Sequence, residues 1–171
     1  MRRLLPLVLF LASPALGEDL DFGRVPSFAA RDLDEKRIVL EELTAEGPVV
    51  LTFWATWCKP CRKELPELQK LLKRHGERGL RVVAVSVDGP VDQAKVRPFV
   101  RSQGFDFIVV PDLDGEIRRR LQVEVVPTTF LLEGEGRILH RQVGYRQGDE
   151  KALEAALLES LEIRDEGAPD P

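Results

Sequence analysis

Cys58 and Cys61 are the only cysteines in the chain, and Lys59 and Pro60 separate them. They lie between an apolar run, Val49 to Trp54, and a stretch with helical spacing that begins near Pro60. A cysteine at a helix start faces unpaired backbone N–H groups and the positive end of the helix dipole. Both lower a thiol's pKa and raise its thiolate fraction, and thiolate is the nucleophile of disulfide exchange. Lys59 adds a positive charge in the same direction. Two intervening residues put Cys61 one helical turn later, where it can attack a mixed disulfide on Cys58 and release the product. Cys61 is therefore expected to be the more buried thiol, and Pro60 suits the first helical turn.

Three other uses of such a pair compete. A structural disulfide closing so small a loop removes little chain entropy. A zinc site needs four ligands, and only His75 and His140 are available as further histidines, neither near the pair in sequence. A peroxidase cysteine of the peroxiredoxin kind has proline seven and threonine three residues before it, whereas Cys58 has Leu51 and Ala55 there. Dithiol–disulfide exchange is the reading these residues favour.

Placing the pair requires a strand and a helix. Val49 to Trp54 has no alternation, as in a strand buried on both faces. A helix over Pro60 to His75 follows, with Leu65, Leu68 and Leu72 on one stripe and Gly76 and Gly79 after it. Before them, Ser27–Arg31 and Lys36–Leu40 flank a turn-prone Asp32–Glu35, as in a β-hairpin. After them come a valine-rich strand over Leu80–Val87 and a helix from an Asp92 cap to Gln103, with Pro98 kinking it or marking a later start. A short strand over Phe107–Val110, a turn and a short helix over Glu116–Gln122 follow. A hairpin joins Thr128–Leu132 to Arg137–Gln142. Asp149 caps a last helix with Leu153, Ala156, Leu157, Ser160 and Leu161 on one face. Strands that alternate with helices and close with a hairpin and a helix give a three-layer α/β sandwich around a mixed sheet.

Residues 1–17 have the layout of a cleaved signal peptide: Arg2 and Arg3, an apolar run from Leu4 to Ala12, then small residues at Ala15 and Gly17. The apolar run is too short to span a bilayer. The expected organisation is a leader over 1–17, one domain over 18–163 and a disordered tail over 164–171, in the periplasm or an equivalent oxidising space. The chain has 171 residues and a net charge of −4. Without Arg2 and Arg3 the balance becomes 23 basic against 29 acidic residues, which argues against nucleic acid as a partner.

The segment Trp54-Ala55-Thr56-Trp57-Cys58-Lys59-Pro60-Cys61 resembles the thioredoxin-like superfamily, and within it the extracytoplasmic TlpA/ResA-like disulfide reductases. The run Cys61-Arg62-Lys63-Glu64-Leu65-Pro66 and an extra helix and strand over about 92–110 carry the same likeness. The resemblance implies a thioredoxin-like mixed sheet with an N-terminal hairpin and a strand–helix insertion. It implies that Pro66 kinks the active-site helix and that Val126-Pro127-Thr128 forms the family's cis-proline loop. There the missing proline N–H leaves the loop free to face the cysteines, and the Val126 backbone can pair with an extended substrate. Glu64, one turn after Cys61, would tune the cysteines and handle protons. On spacing alone it would be a surface residue. Thr52 stands where cytoplasmic thioredoxins carry a buried aspartate, and it cannot titrate, which leaves Glu64 or water as the base.

The expected catalytic residues are Cys58, Cys61, Glu64 and Pro127. Trp57, Lys59, Pro60, Val126 and Thr128 are expected to meet the substrate. Trp54 is expected in the core, His75 to favour a helix end, His140 to have no chemistry, and Arg118 to Arg120 to form a solvated helix face. No metal and no cofactor beyond the cysteine pair is expected, and the protein is expected to be a monomer. The resemblance implies a reductase of exported disulfide-bearing proteins such as apocytochromes c, recharged by a transmembrane thiol carrier of the CcdA or DsbD kind. The rivals are a disulfide-forming oxidase, whose DsbA-like members carry a larger helical insert, and a copper-handling or copper-site assembly protein. Met1 as the sole methionine weakens copper handling.

Overall fold

The computed structural model describes residues 23–167. The expected leader over 1–17 lies outside the described residues, as does the chain after 167. A two-stranded hairpin of β1 (Ala29–Arg31) and β2 (Arg37–Val39) leads directly into α1 (Leu40–Glu46). The chain then forms β3 (Val49–Trp54), α2 (Lys59–His75), β4 (Arg81–Ser86), α3 (Gln93–Gln103) and β5 (Ile108–Pro111). It closes with α4 (Glu116–Arg120), β6 (Thr128–Glu133), β7 (Arg137–Val143) and α5 (Glu150–Gly167).

The main sheet has the order β5-β4-β3-β6-β7. β3, β4 and β5 are parallel, while β6 is antiparallel to β3 and β7 to β6. All six residues of β3 are buried because helices cover both faces of the central strand. On one face Val50 and Trp54 pack with Leu65 and Leu68 of α2, Val96 of α3, and Leu153, Leu157 and Leu161 of α5. On the other, Leu51 and Phe53 pack with Leu40 of α1, Ile117 of α4 and Phe28. The strand–helix insertion is α3 with β5, and the sandwich has the expected three layers.

Several local expectations differ from the structure. The helix α1 was not legible: its seven residues are anchored by only two buried side chains, Leu40 and Thr44. Asp92 precedes α3, but its carboxylate binds Lys95 Nζ at 2.5 Å and caps no backbone N–H. Asp149 precedes α5, and its carboxylate accepts from the Arg146 N–H at 2.8 Å instead. α4 ends at Arg120, short of the expected Gln122, because Gln122 takes a left-handed φ of 53° that helix cannot continue through. α5 runs on to Gly167, past the expected domain end at 163. Pro66 and Pro98 both sit inside their helices.

β3, β4 and β5 end, β6 begins and β7 ends at one pole of the sheet, and α2 starts there. The described chain ends lie at the other pole. Gly23 O accepts from the Ile138 N–H near the start of β7, and Arg164 near the end of α5 donates to Glu46 O. At that far pole Gly47 passes so close to Gly79 that a Cβ on Gly47 would lie 2.6 Å from the Gly79 carbonyl oxygen.

Candidate active site

Cys58 is the N-cap residue of α2, and its Sγ accepts from the Cys61 N–H at 3.2 Å. That is the placement expected to favour a thiolate: sulfur at the open end of a helix, facing a backbone donor. Cys58 and Cys61 are joined as a disulfide. Cys58 is 5% exposed and Cys61 0%, so Cys61 is the deeper of the two. Lys59 and Pro60 are exposed within the first turn.

A tight turn delivers Cys58 to this position. The Cys58 N–H bonds Ala55 O at 3.1 Å, and the fully buried Asp88 grips the residue between. Its carboxylate accepts from the Thr56 N–H at 3.0 Å, from Thr56 Oγ1 at 2.5 Å and from Ser86 Oγ at 2.9 Å. Asp88 was not singled out in the sequence, because its link to Thr56 depends on β4 lying beside β3. Trp57 leaves the turn 61% exposed, whereas Trp54 is buried in the core. Val91, Leu113, Val125 and Val143 are exposed apolar residues on the same pole.

The Val126–Pro127 peptide is cis, as expected. Val126 O lies 3.7 Å from Cys58 Sγ. A disulfide sulfur has no proton to donate, so this is a packing contact; in the dithiol the same atoms are placed for an S–H to O hydrogen bond. Thr128 does not face outward as a substrate contact would: it is 2% exposed, and its hydroxyl donates to Val125 O at 2.7 Å. It shapes the loop from inside. Arg118 also departs from expectation. Its Nε donates to Val123 O and its Nη2 to Glu124 O, both at 2.8 Å, while Arg119 and Arg120 remain exposed.

Glu64 is 2% exposed, so the surface reading of this residue fails. It closes a ring of oxygens with two threonines on neighbouring strands. Thr129 Oγ1 lies 2.7 Å from Glu64 Oε1 and 2.8 Å from Thr52 Oγ1, and Thr52 Oγ1 lies 3.3 Å from Glu64 Oε2. Three contacts need three protons, and the two hydroxyls supply only two. A protonated carboxyl supplies the third; an ionised one leaves one contact without a hydrogen. Burial pushes the Glu64 pKa up to about 7, with the Asp149 charge adding to it and the threonine hydrogen bonds opposing it. Thr129 was missed in the sequence because only the strand register, which sets Thr52 opposite Thr129, brings it to Glu64.

The histidines stand apart from the cysteines in their contacts. His75 Nε2 pairs with Glu154 Oε1 at 2.8 Å at the end of α2. His140 lies on β7, its Nε2 buried without a hydrogen-bond partner, and burial lowers its pKa. Among the described residues no three or more His, Cys, Asp or Glu cluster as metal ligands, and no helix is long and apolar enough to cross a membrane.

Comparison with known proteins gives a consistent neighbourhood. Residues 23–141 match the sequence profile of the AhpC/TSA family. The chain is 36% identical over 131 residues to the thiol-disulfide oxidoreductase ResA of Bacillus subtilis (strain 168), covering 77% of this chain and 70% of that protein. It is 33% identical over 150 residues to ResA of Bacillus cereus (strain ATCC 10987), covering 81% and 85%. Among solved structures, a putative thiol:disulfide interchange protein DsbE from Chlorobium tepidum superposes with a TM-score of 0.75 at 31% identity, covering 82% of this chain and 97% of that one.

Proposed function

The chain belongs to the AhpC/TSA family of thioredoxin-like proteins and is a thiol–disulfide oxidoreductase; from that premise we propose that it acts outside the cytoplasm as a reductant of disulfides in exported proteins. The observation that carries the reading is the Cys58–Cys61 pair at the head of α2, with the outer sulfur beside Val126 and the cis-proline. The insertion made by α3 and β5 is far smaller than the helical domain expected of a dedicated oxidant.

In the proposed cycle the Cys58 thiolate attacks one sulfur of a substrate disulfide. The other substrate sulfur leaves as a thiolate and takes up a proton. Cys61 then gives up its proton and attacks Cys58 Sγ, which expels the second substrate sulfur and leaves Cys58–Cys61 oxidised. Two electrons pass to the substrate. Glu64, one turn beyond Cys61, receives the Cys61 proton in this scheme. The oxidised state then carries a protonated Glu64, the form its burial favours. Trp57, Lys59 and Pro60 border the docking site, and the Val126 backbone pairs with an extended substrate. The substrate class is exported protein disulfides, with the CxxCH cysteines of apocytochromes c the leading case. The recharging partner is a transmembrane thiol carrier of the CcdA or DsbD kind. The protein needs no cofactor beyond the cysteine pair and works as a monomer.

The deciding measurement is the reduction potential of the Cys58–Cys61 couple. A value near or below about −250 mV, as in thioredoxin, is expected for a reductase. A value near about −120 mV, as in the oxidant DsbA, would reverse the direction of electron flow and overturn the proposal. The order of the two exchanges is tested by Cys61→Ser, which should accumulate mixed disulfides through Cys58; a variant that traps no protein from a periplasmic extract would remove Cys61 from the resolving role.

A further inference from the structure

In the loop that faces Cys58, between α4 and β6, Leu121, Val123 and Pro127 are buried while Glu124 and Val125 are exposed. The Val123 N–H bonds Arg118 O at 3.0 Å, and beyond it the exposed stretch is held by its carbonyls. Arg118 takes two consecutive ones, Val123 O through Nε and Glu124 O through Nη2. Thr128 Oγ1 takes the next, Val125 O, which leaves Val126 O as the carbonyl turned to the sulfur. The base from which Arg118 reaches is itself fixed. The buried Asp112 accepts from the Ile117 and Arg118 N–H groups at 3.0 and 2.9 Å, and its own N–H bonds Ser86 O at the end of β4. A continuous chain of bonds thus runs from the central sheet through Asp112 and Arg118 to the residues just before the cis-proline.

We propose that Arg118 is a positioning residue for substrate docking, clamping the 123–126 segment so that the Val126 backbone is presented beside Cys58 before a substrate arrives. This rests on the docking of an extended substrate on Val126. Only a planar fork reaches two carbonyls at once in fixed geometry; a lysine is a single point donor. Without the clamp, part of the binding energy goes to ordering the loop, so affinity for a protein substrate falls while the sulfur chemistry is untouched.

The test compares two disulfides with Arg118→Met and Arg118→Lys. One is insulin, a protein disulfide that needs backbone docking. The other is 5,5′-dithiobis(2-nitrobenzoate), a small disulfide that does not. Dithiothreitol serves as the reductant for insulin turnover, and the small disulfide is reduced in a single turnover by pre-reduced protein freed of dithiothreitol. The expected result for Arg118→Met is a KM for insulin raised about tenfold with kcat within about twofold, and an intermediate rise for Arg118→Lys. The rate with the small disulfide and the reduction potential should stay unchanged in both. Equal losses on both disulfides would make Arg118 a general stability residue and overturn the proposal, as would an unchanged KM for insulin in both variants. Arg118→Lys keeps the charge and most of the length, so a folding failure of Arg118→Met does not remove the test. If the unaltered protein turned over the small disulfide but not insulin, the docking reading itself would fall, and the clamp with it.

Discussion

Glu64 shows what burial does to one carboxyl group, an effect that two threonine hydroxyls only partly offset. Its pKa in the folded protein is about 7, above its ordinary value of 4.5, so the fold binds this proton more tightly than the unfolded chain does. The stability it contributes is fully present below about pH 4.5 and is lost as pH rises through about 7. Urea unfolding of the oxidised protein at pH 5 and pH 8 should therefore differ by about 2–3 kcal/mol more than in Glu64→Gln. Equal pH slopes in the two proteins would place the titration elsewhere. The Thr129 hydrogen bond lowers the Glu64 pKa, so Thr129→Val should move the midpoint of this stability loss to higher pH. A midpoint that stays put or falls would mean that Thr129 is not the partner the ring requires.

At the level of elements, the strand and helix around the cysteines were legible because each has a strong local signal. β3 is an unbroken apolar run, and α2 has a leucine stripe, a proline in its first turn and glycines after its end. The elements that went unread lack such signals. Leu40–Glu46 is a single acidic segment that its two buried residues fold onto the sheet. Arg118 is one of three consecutive arginines, and nothing in the sequence separates it from its neighbours. Turn geometry was equally hidden at Gln122, which is exposed and holds φ 53° without the freedom of glycine. Gln122→Gly should stabilise the protein by about 0.5–1 kcal/mol, the left-handed strain relieved less the added entropy of the unfolded chain. Gly47→Ala should do the opposite, by about 2 kcal/mol, because its Cβ would collide with the Gly79 backbone rather than with a movable side chain. Thermal unfolding of both variants checks the pair, and a destabilised Gln122→Gly would mean that the glutamine side chain supports the loop.

Among the described residues the large exposed apolar side chains concentrate at one pole. Trp57, Val91, Leu113, Val125 and Val143 are there, and of that described set Ile163 lies apart on the final helix. Docking on such a surface is driven by desolvation more than by charge, so the KM for a protein disulfide should change less than about threefold between 50 and 500 mM NaCl. A tenfold rise would assign docking to Lys59, Arg62 and Lys63 instead. The described chain ends bear on how the protein can be handled. Gly23 and the end of α5 both lie on the pole away from the disulfide. A biotin, a fluorescent reporter or a solid support joined directly at Gly23 or at the end of α5 therefore sits behind the molecule, with the Cys58 face turned outward. Protein captured on a sensor through a tag placed directly before Gly23 should exchange disulfides as fast as it does free in solution.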